Sequence, residues 1–179
     1  NILDPIEIIN EYGLDSLRYY LLKEVSFGND GNISKDKLIS CINSDLANNF
    51  GNLCQRVLTF TAKNLGLEVP EKDSLTNDDL VILNSFSENY KNLIDFINDQ
   101  NINSYMNFIV DQMFIANKYF NDQEPWKKKD DVKRLKTIIY TSLELIRKIS
   151  TLLYPVIPQS SLKALSIFKI KEDEIDIET

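Results

Sequence analysis

The sequence predicts an all-α protein, a helical bundle, and three observations predict it. Apolar residues recur with a helical rather than a strand period along most of the chain. Helix start and stop residues punctuate it throughout, among them Asp4-Pro5, Gly13, Ser34, Gly66, Thr76 and Pro158. Strand-like alternation is confined to Ile175-Asp176-Ile177, which is too short to build a sheet. With 179 residues, 43% of them hydrophobic and 26% charged, the chain suits one substantial core or at most two small ones.

Each helix has a local reason. Asp4 is an N-cap with proline at the first helical position, Ile6, Ile9 and Tyr12 are in phase, and Gly13 terminates the segment. A second helix follows from Asp15 to about Val25, with Leu14, Leu17, Leu21 and Leu22 as its apolar residues. Ser26 to Asn32 has loop composition, and Ser34 caps a helix running to about Asn43. The next helix runs from near Ser44 to Leu65 with Gly66 at C′. Sequence alone leaves open whether these two are separate or one bent rod. Leu67 to Leu75, with Pro70, is a connection. Thr76 or Asn77 starts a helix bearing Leu80, Leu83, Phe86, Tyr90, Leu93 and Phe96 or Ile97. Asn103 caps another from about Ser104 to Phe120. A polar loop, Asn121 to Asp130, contains Pro125-Trp126. A long helix from about Asp131 ends at Tyr154-Pro155, and a short one follows Pro158.

Composition excludes much chemistry. Histidine is absent, which removes Ser-His-Asp and Cys-His nucleophiles and the usual zinc ligands. The five glycines form no phosphate-cradling loop. Cys41 and Cys54 lack metal-ligand spacing and are expected as small buried residues in a reducing cytoplasm. No apolar run is long enough for a membrane span. The net charge of −7 argues against a protein that coats nucleic acid non-specifically. Local basic clusters (Lys127-Lys128-Lys129, Lys133-Arg134 with Lys136, and Arg147-Lys148) still leave a cationic site open, because charges are screened beyond about 8 Å.

Two elements carry candidate function. Within Ser44–Arg56, residues Asn48, Asn52 and Arg56 stand at successive i+4 positions. At about 100° per residue, Leu46, Phe50, Leu53, Val57 and Phe60 point within about 40° of one direction, while the two amides and the guanidinium point away from it. Amides and a planar guanidinium suit nucleobase edges, but the same stripe can be a solvated face. Trp126, the only tryptophan, follows Pro125 and precedes three lysines. It is either a hydrophobic anchor for its loop or a platform on which bases stack.

Taken together, these residues resemble a known family. Asp4-Pro5, the helix Asp15-Ser-Leu-Arg-Tyr-Tyr-Leu-Leu22, Phe27-Gly-Asn-Asp30, Asn43-Ser-Asp-Leu-Ala-Asn48, Gly51-Asn-Leu53, Arg56 and Glu124-Pro-Trp126 resemble the C-terminal anticodon-binding domain of bacterial methionyl-tRNA synthetases, which are class I enzymes. The resemblance runs from about Asn1 to Phe168. The Asp-x-Leu-Arg helix is shared with the leucine, isoleucine, valine and cysteine relatives. The Asp-Leu-x-Asn-x-x-Gly-Asn-Leu-x-x-Arg run with a downstream Pro-Trp is more specific to the methionine enzyme.

The resemblance implies that Asn52 and Arg56 contact the edges of splayed anticodon bases, that Asn48 assists or braces Asn52, and that Trp126 stacks beneath the first anticodon base on a platform shaped by Pro125. It implies a tRNA(Met) anticodon loop, CAU, as partner. Residues 1–43 are expected as helices connecting to a catalytic domain, and residues 44–179 as the anticodon-binding bundle. ATP and magnesium, with zinc where a knuckle is carried, are expected in that catalytic domain, whose Lys-Met-Ser-Lys-Ser signature would lie just before Asn1. No cofactor, metal or catalytic residue is expected in this segment, which should be inactive alone. No dimerising extension is expected after Thr179, so a monomer is expected; a cytoplasmic location and no membrane partner are expected separately. Phosphate contact by Lys127 to Lys129 is inferred from charge alone. Two alternatives remain open: the corresponding domain of another class I synthetase, and a helical protein-interaction module.

Overall fold

Short polar side chains begin most of the helices in the computed structural model, which describes residues 4–25, 28, 31, 33–66 and 68–176. Asp4 accepts from the Ile6 amide (2.8 Å) and opens α1, Pro5–Tyr12. Gly13, at φ 86°, both ends α1 and starts α2, Leu14–Glu24, a backbone angle that glycine adopts without a Cβ penalty. Ser34 caps α3, Lys35–Cys41. A π-helical stretch, Ile42–Gly51, continues the same rod into α4, Asn52–Asn64. The segment is therefore one continuous rod with a wide-wound middle.

Thr76 and Asp79 form a reciprocal capping box at the start of α5, Asn77–Asn98. The helix α6 spans Ile102–Asp122, and the single 3₁₀ turn Pro125–Lys127 leads on to α7, Val132–Leu153, whose N-cap is Asp131. Pro158–Ser166 forms α8, and another 3₁₀ turn covers Glu172–Glu174. No strand occurs among the described residues; the loop expected over 26–32 and the Ile175–Ile177 alternation fall partly outside them.

The central helix α7 packs against α4, α5, α6 and α8, and α2 lies on α6. Ile138, Ile139, Ile149 and Leu153 of α7 join Leu53 and Val57 of α4, Met106, Ile109 and Met113 of α6, and Phe86 of α5 in one apolar core. T-shaped ring pairs (Phe86–Phe108 at 6.1 Å, Phe60–Phe120 at 6.3 Å) add directed contacts to it.

Several helix faces differ from the periodic expectation. In α1 it is Ile8 that is buried, while Ile6 is exposed. In α2 the buried residues are Asp15, Tyr19 and Tyr20, whereas Leu14 and Leu21 are exposed. The reason lies in remote polar partners. Asp15 Oδ2 accepts from the backbone N–H of Ser160 (2.7 Å) in the first turn of α8. Arg18 donates from Nε to the Val156 carbonyl and from Nη2 to that of Pro155, both at 2.8 Å. Tyr19 donates to Asp45 (2.9 Å), and burial followed by that carboxylate's charge raises the phenol's pKa. In α5, Leu80 and Tyr90 are exposed and Ile82 is buried instead. Asn101, not Asn103, caps α6; Asn103 donates to the Lys23 carbonyl (2.9 Å).

Candidate nucleic-acid interface

The candidate site begins with the winding of the rod. In the π-helical stretch each backbone ring encloses about one more residue than an α-turn. The Asn52 amide accordingly reaches back to Ala47 O. Gly51 permits the wide turn: a Cβ there would lie 3.0 Å from the Leu46 carbonyl oxygen. The winding changes the angle turned per residue in this stretch, because the π-coil holds more residues per turn than an α-helix. Asn52 and Arg56, both in α4, keep their one-turn relationship, while Asn48 sits in the π-helical part. Asn48 and Asn52 are exposed, and Arg56 is half-buried. Neighbouring Asn49 is buried, with its Oδ1 and backbone carbonyl both receiving Asn117 Nδ2, at 2.7 and 3.1 Å.

Arg56 and Trp126 come together. They line one open groove of about 570 Å³ with Gln55, Thr59, Phe60, Lys63 and Phe120. The Arg56 guanidinium carbon stands 5.2 Å from the Phe120 ring centroid, and its Nη2 donates to Asn121 Oδ1. Phe120 in turn meets Trp126 edge-on at 6.2 Å. Trp126 remains 42% exposed, while Pro125 is buried and starts the tight turn that holds it. The indole is therefore held in a T-shaped contact with Phe120 and partly open to solvent, as a stacking surface requires.

Phe120, Gln55 and Lys63 were not singled out by sequence reasoning. Gln55, Thr59 and Lys63 form a second i+4 row on α4 beside the Asn52–Arg56 row, a signal that spacing alone contains. Phe120 gives no such signal, since apolar periodicity reads it as ordinary core.

The basic clusters resolve differently from one another. Lys127 pairs with Glu124 (2.7 Å), while Lys128 and Lys129 are exposed. Arg134 is the half-buried partner of the buried Asp79, and Lys133 approaches Asp73 at 3.5 Å. Arg147 pairs with Glu144 (2.8 Å), and Lys148 lies over the Phe86 ring at 5.8 Å. The second and third clusters thus contribute mainly internal bonds.

Among the described residues, no three His, Cys, Asp or Glu side chains converge where a metal ion could sit. Burial pushes the Cys41 and Cys54 thiols up to about 12, so neither is a ready ligand or nucleophile at neutral pH. No helix of the described residues is long and apolar enough to cross a membrane.

The fold is an all-α bundle of the class I aminoacyl-tRNA synthetase anticodon-binding type, and residues 1–58 match the family described as tRNA synthetases class I (M). Residues 69–178 match the model for the anticodon binding domain of methionyl tRNA ligase, and the chain belongs to that family. It is 38% identical over 179 residues to the methionine–tRNA ligase of Mycobacterium leprae, covering 97% of this chain and 33% of that one. Against the methionine–tRNA ligase of Brucella suis it is 37% identical over 175 residues, covering 97% and 34%. Mycobacterium tuberculosis methionyl-tRNA synthetase, solved in complex with methionyl-adenylate, superposes with a TM-score of 0.94 at 33% identity over 99% of this chain and 36% of that chain. The chain spans about a third of the length of the relatives it matches.

Proposed function

We propose that this chain is the anticodon-reading part of a methionine–tRNA ligase and that its Arg56–Trp126 groove receives the unpaired CAU bases of tRNA(Met). The observation that carries this reading is the open indole of Trp126 sharing a groove with the Arg56 guanidinium. Unpaired bases are the natural target, since an RNA duplex hides its informative groove whereas loop bases can splay out onto aromatic rings. Stacking on Trp126 would supply about 1–3 kcal/mol per base. Arg56 and Asn52 would read base edges, Arg56 as donor only and Asn52 as donor and acceptor. Asn48 would act as a brace at the entrance, Pro125 would shape the platform, and Lys63 would meet a backbone phosphate.

On the same reading, residues 1–43 link this bundle to a catalytic domain. ATP, magnesium and any zinc belong to that domain, and the molecule works in the cytoplasm without a second copy. Binding energy from the anticodon would then raise the aminoacylation rate if it is fully realised only when the acceptor end is seated.

Binding of a labelled CAU stem-loop tests the reading. The wild-type chain should bind it in preference to a stem-loop with an altered anticodon, and Trp126→Ala should lose most of that affinity. In the intact ligase the same variant should impair aminoacylation while sparing methionine-dependent pyrophosphate exchange. Indifference to the anticodon sequence, or equal loss of both activities, would overturn the proposal.

A further inference from the structure

The loop that carries Trp126 is tied at its base by a half-buried arginine. Arg134, in the first turn of α7, donates from Nη1 to Asp79 Oδ2 (2.5 Å) and from Nη2 to Asp79 Oδ1 (3.0 Å). The same Nη2 donates to Gln123 Oε1 at 2.7 Å. Gln123 is the residue at which α6 ends, so this bond joins the two flanks of the segment containing Pro125-Trp126. Asp79 is fully buried and also receives the Tyr119 hydroxyl (2.5 Å) and the Thr76 amide and hydroxyl (both 2.9 Å). Tyr119 points into this cluster, and the next residue, Phe120, supports both Arg56 and Trp126.

Between the clamped flanks the backbone is constrained. Glu124 adopts a left-handed conformation at φ 45°, unusual for a residue with a side chain. The Lys127 amide closes onto the Glu124 carbonyl at 2.8 Å. A conformation of that kind persists where its surroundings over-determine it, and such surroundings cluster at functional sites. Gln123 and Arg134 are not among the residues that line the groove, so their effect on binding would pass through the loop.

We propose that Arg134 is a positioning residue for base stacking: by bridging Asp79 and Gln123 it fixes the loop that presents the Trp126 indole to unpaired nucleotides. The inference rests on the stacking reading above. The alternative is a network that only stabilises the fold, and the two separate experimentally.

Trp126 is the sole tryptophan, so its fluorescence reports this loop without any label. Gln123→Ala removes the bridge while leaving the Asp79–Arg134 pair, and Gln123→Glu keeps an acceptor. In the 179-residue chain, Gln123→Ala should melt with the wild type by circular dichroism. Its indole anisotropy should fall, its acrylamide quenching should rise, and its affinity for a labelled CAU stem-loop should drop about tenfold. Gln123→Glu should restore all three. In a Trp126→Ala background, Gln123→Ala should cost no further affinity. Unchanged anisotropy and affinity in Gln123→Ala, or the same loss in the Trp126→Ala background, would overturn the positioning role. If Trp126→Ala alone leaves affinity intact, the stacking reading fails, and the positioning role fails with it even where the fluorescence shows the loop loosened.

Discussion

The Arg56 guanidinium lies over the face of Phe120, 5.2 Å from its centroid, and Trp126 meets the same ring edge-on at 6.2 Å. One buried phenyl thereby sets the position of both groups assigned to base recognition. Phe120→Leu preserves apolar volume roughly but removes the π-face under the cation and the partner of the indole. The expected cost is about 1–2 kcal/mol of stability by urea unfolding, with a blue- or red-shifted Trp126 emission and weaker binding of the CAU stem-loop. An unshifted emission spectrum would show that Phe120 does not hold the indole.

Lys63 lines the groove from the second polar row of α4. If it meets a phosphate, Lys63→Met should weaken binding about equally for every anticodon sequence. It should also lower the slope of log affinity against log salt by about 0.7, the value for one contact to a single strand. Gln55→Ala, which changes no charge, should leave that slope unaltered. A salt titration of both variants against two anticodon sequences checks this.

Asp79 supplies a pH dependence whose sign is fixed. Burial alone would raise its pKa, but hydrogen bonds from Arg134, Tyr119 and Thr76 outweigh it and hold the carboxyl at about 2, below the ordinary 3.8. A depressed carboxylate pKa stabilises the fold above its unfolded value, and the contribution is lost as pH falls from about 4 towards 2. The difference corresponds to about 2 kcal/mol at neutral pH. The stability gap between wild type and Asp79→Asn should therefore be widest above pH 5 and narrow steadily down to pH 2. A gap independent of pH over that range would contradict the ionised pair.

Asp15 and Arg18, one turn apart on α2, grip the α7–α8 elbow from opposite chemistries. The carboxylate takes an amide from α8, and the guanidinium fills the carbonyls of Pro155 and Val156. Asp15→Ala should cost about 1 kcal/mol, as for loss of a helix cap, and Arg18→Met a similar amount. Because both act on one elbow, the double variant should fall short of the sum of the singles. Full additivity in urea unfolding would mean the two contacts are independent.

Helix ends were the most legible part of this fold, because capping is local. Asp4-Pro5, Gly13, Ser34, Thr76, Asp131 and Pro158 all mark boundaries where the chain alone places them. Helix faces were less legible where a polar residue has a distant partner. Asp15 is buried by a bond to Ser160, and Asn49 by one to Asn117, 68 residues away. No window of sequence contains both members of such pairs. The candidate site divides the same way. Arg56 and Trp126 stand out by residue type and spacing, while Phe120 is invisible as a support because only the tertiary fold seats it between them.

The widened coil between Ile42 and Gly51 has a practical consequence for anyone transplanting this motif. Its extra residues act as a rotational offset, so the faces before and after it do not follow one regular helical wheel. Copying Asn48 through Arg56 onto an ideal α-helical scaffold would change the bearing of Asn48 relative to Asn52 and Arg56. Deleting a single residue upstream of Gly51 would have a comparable effect in the native chain, turning the downstream recognition surface out of alignment with the helices that dock it.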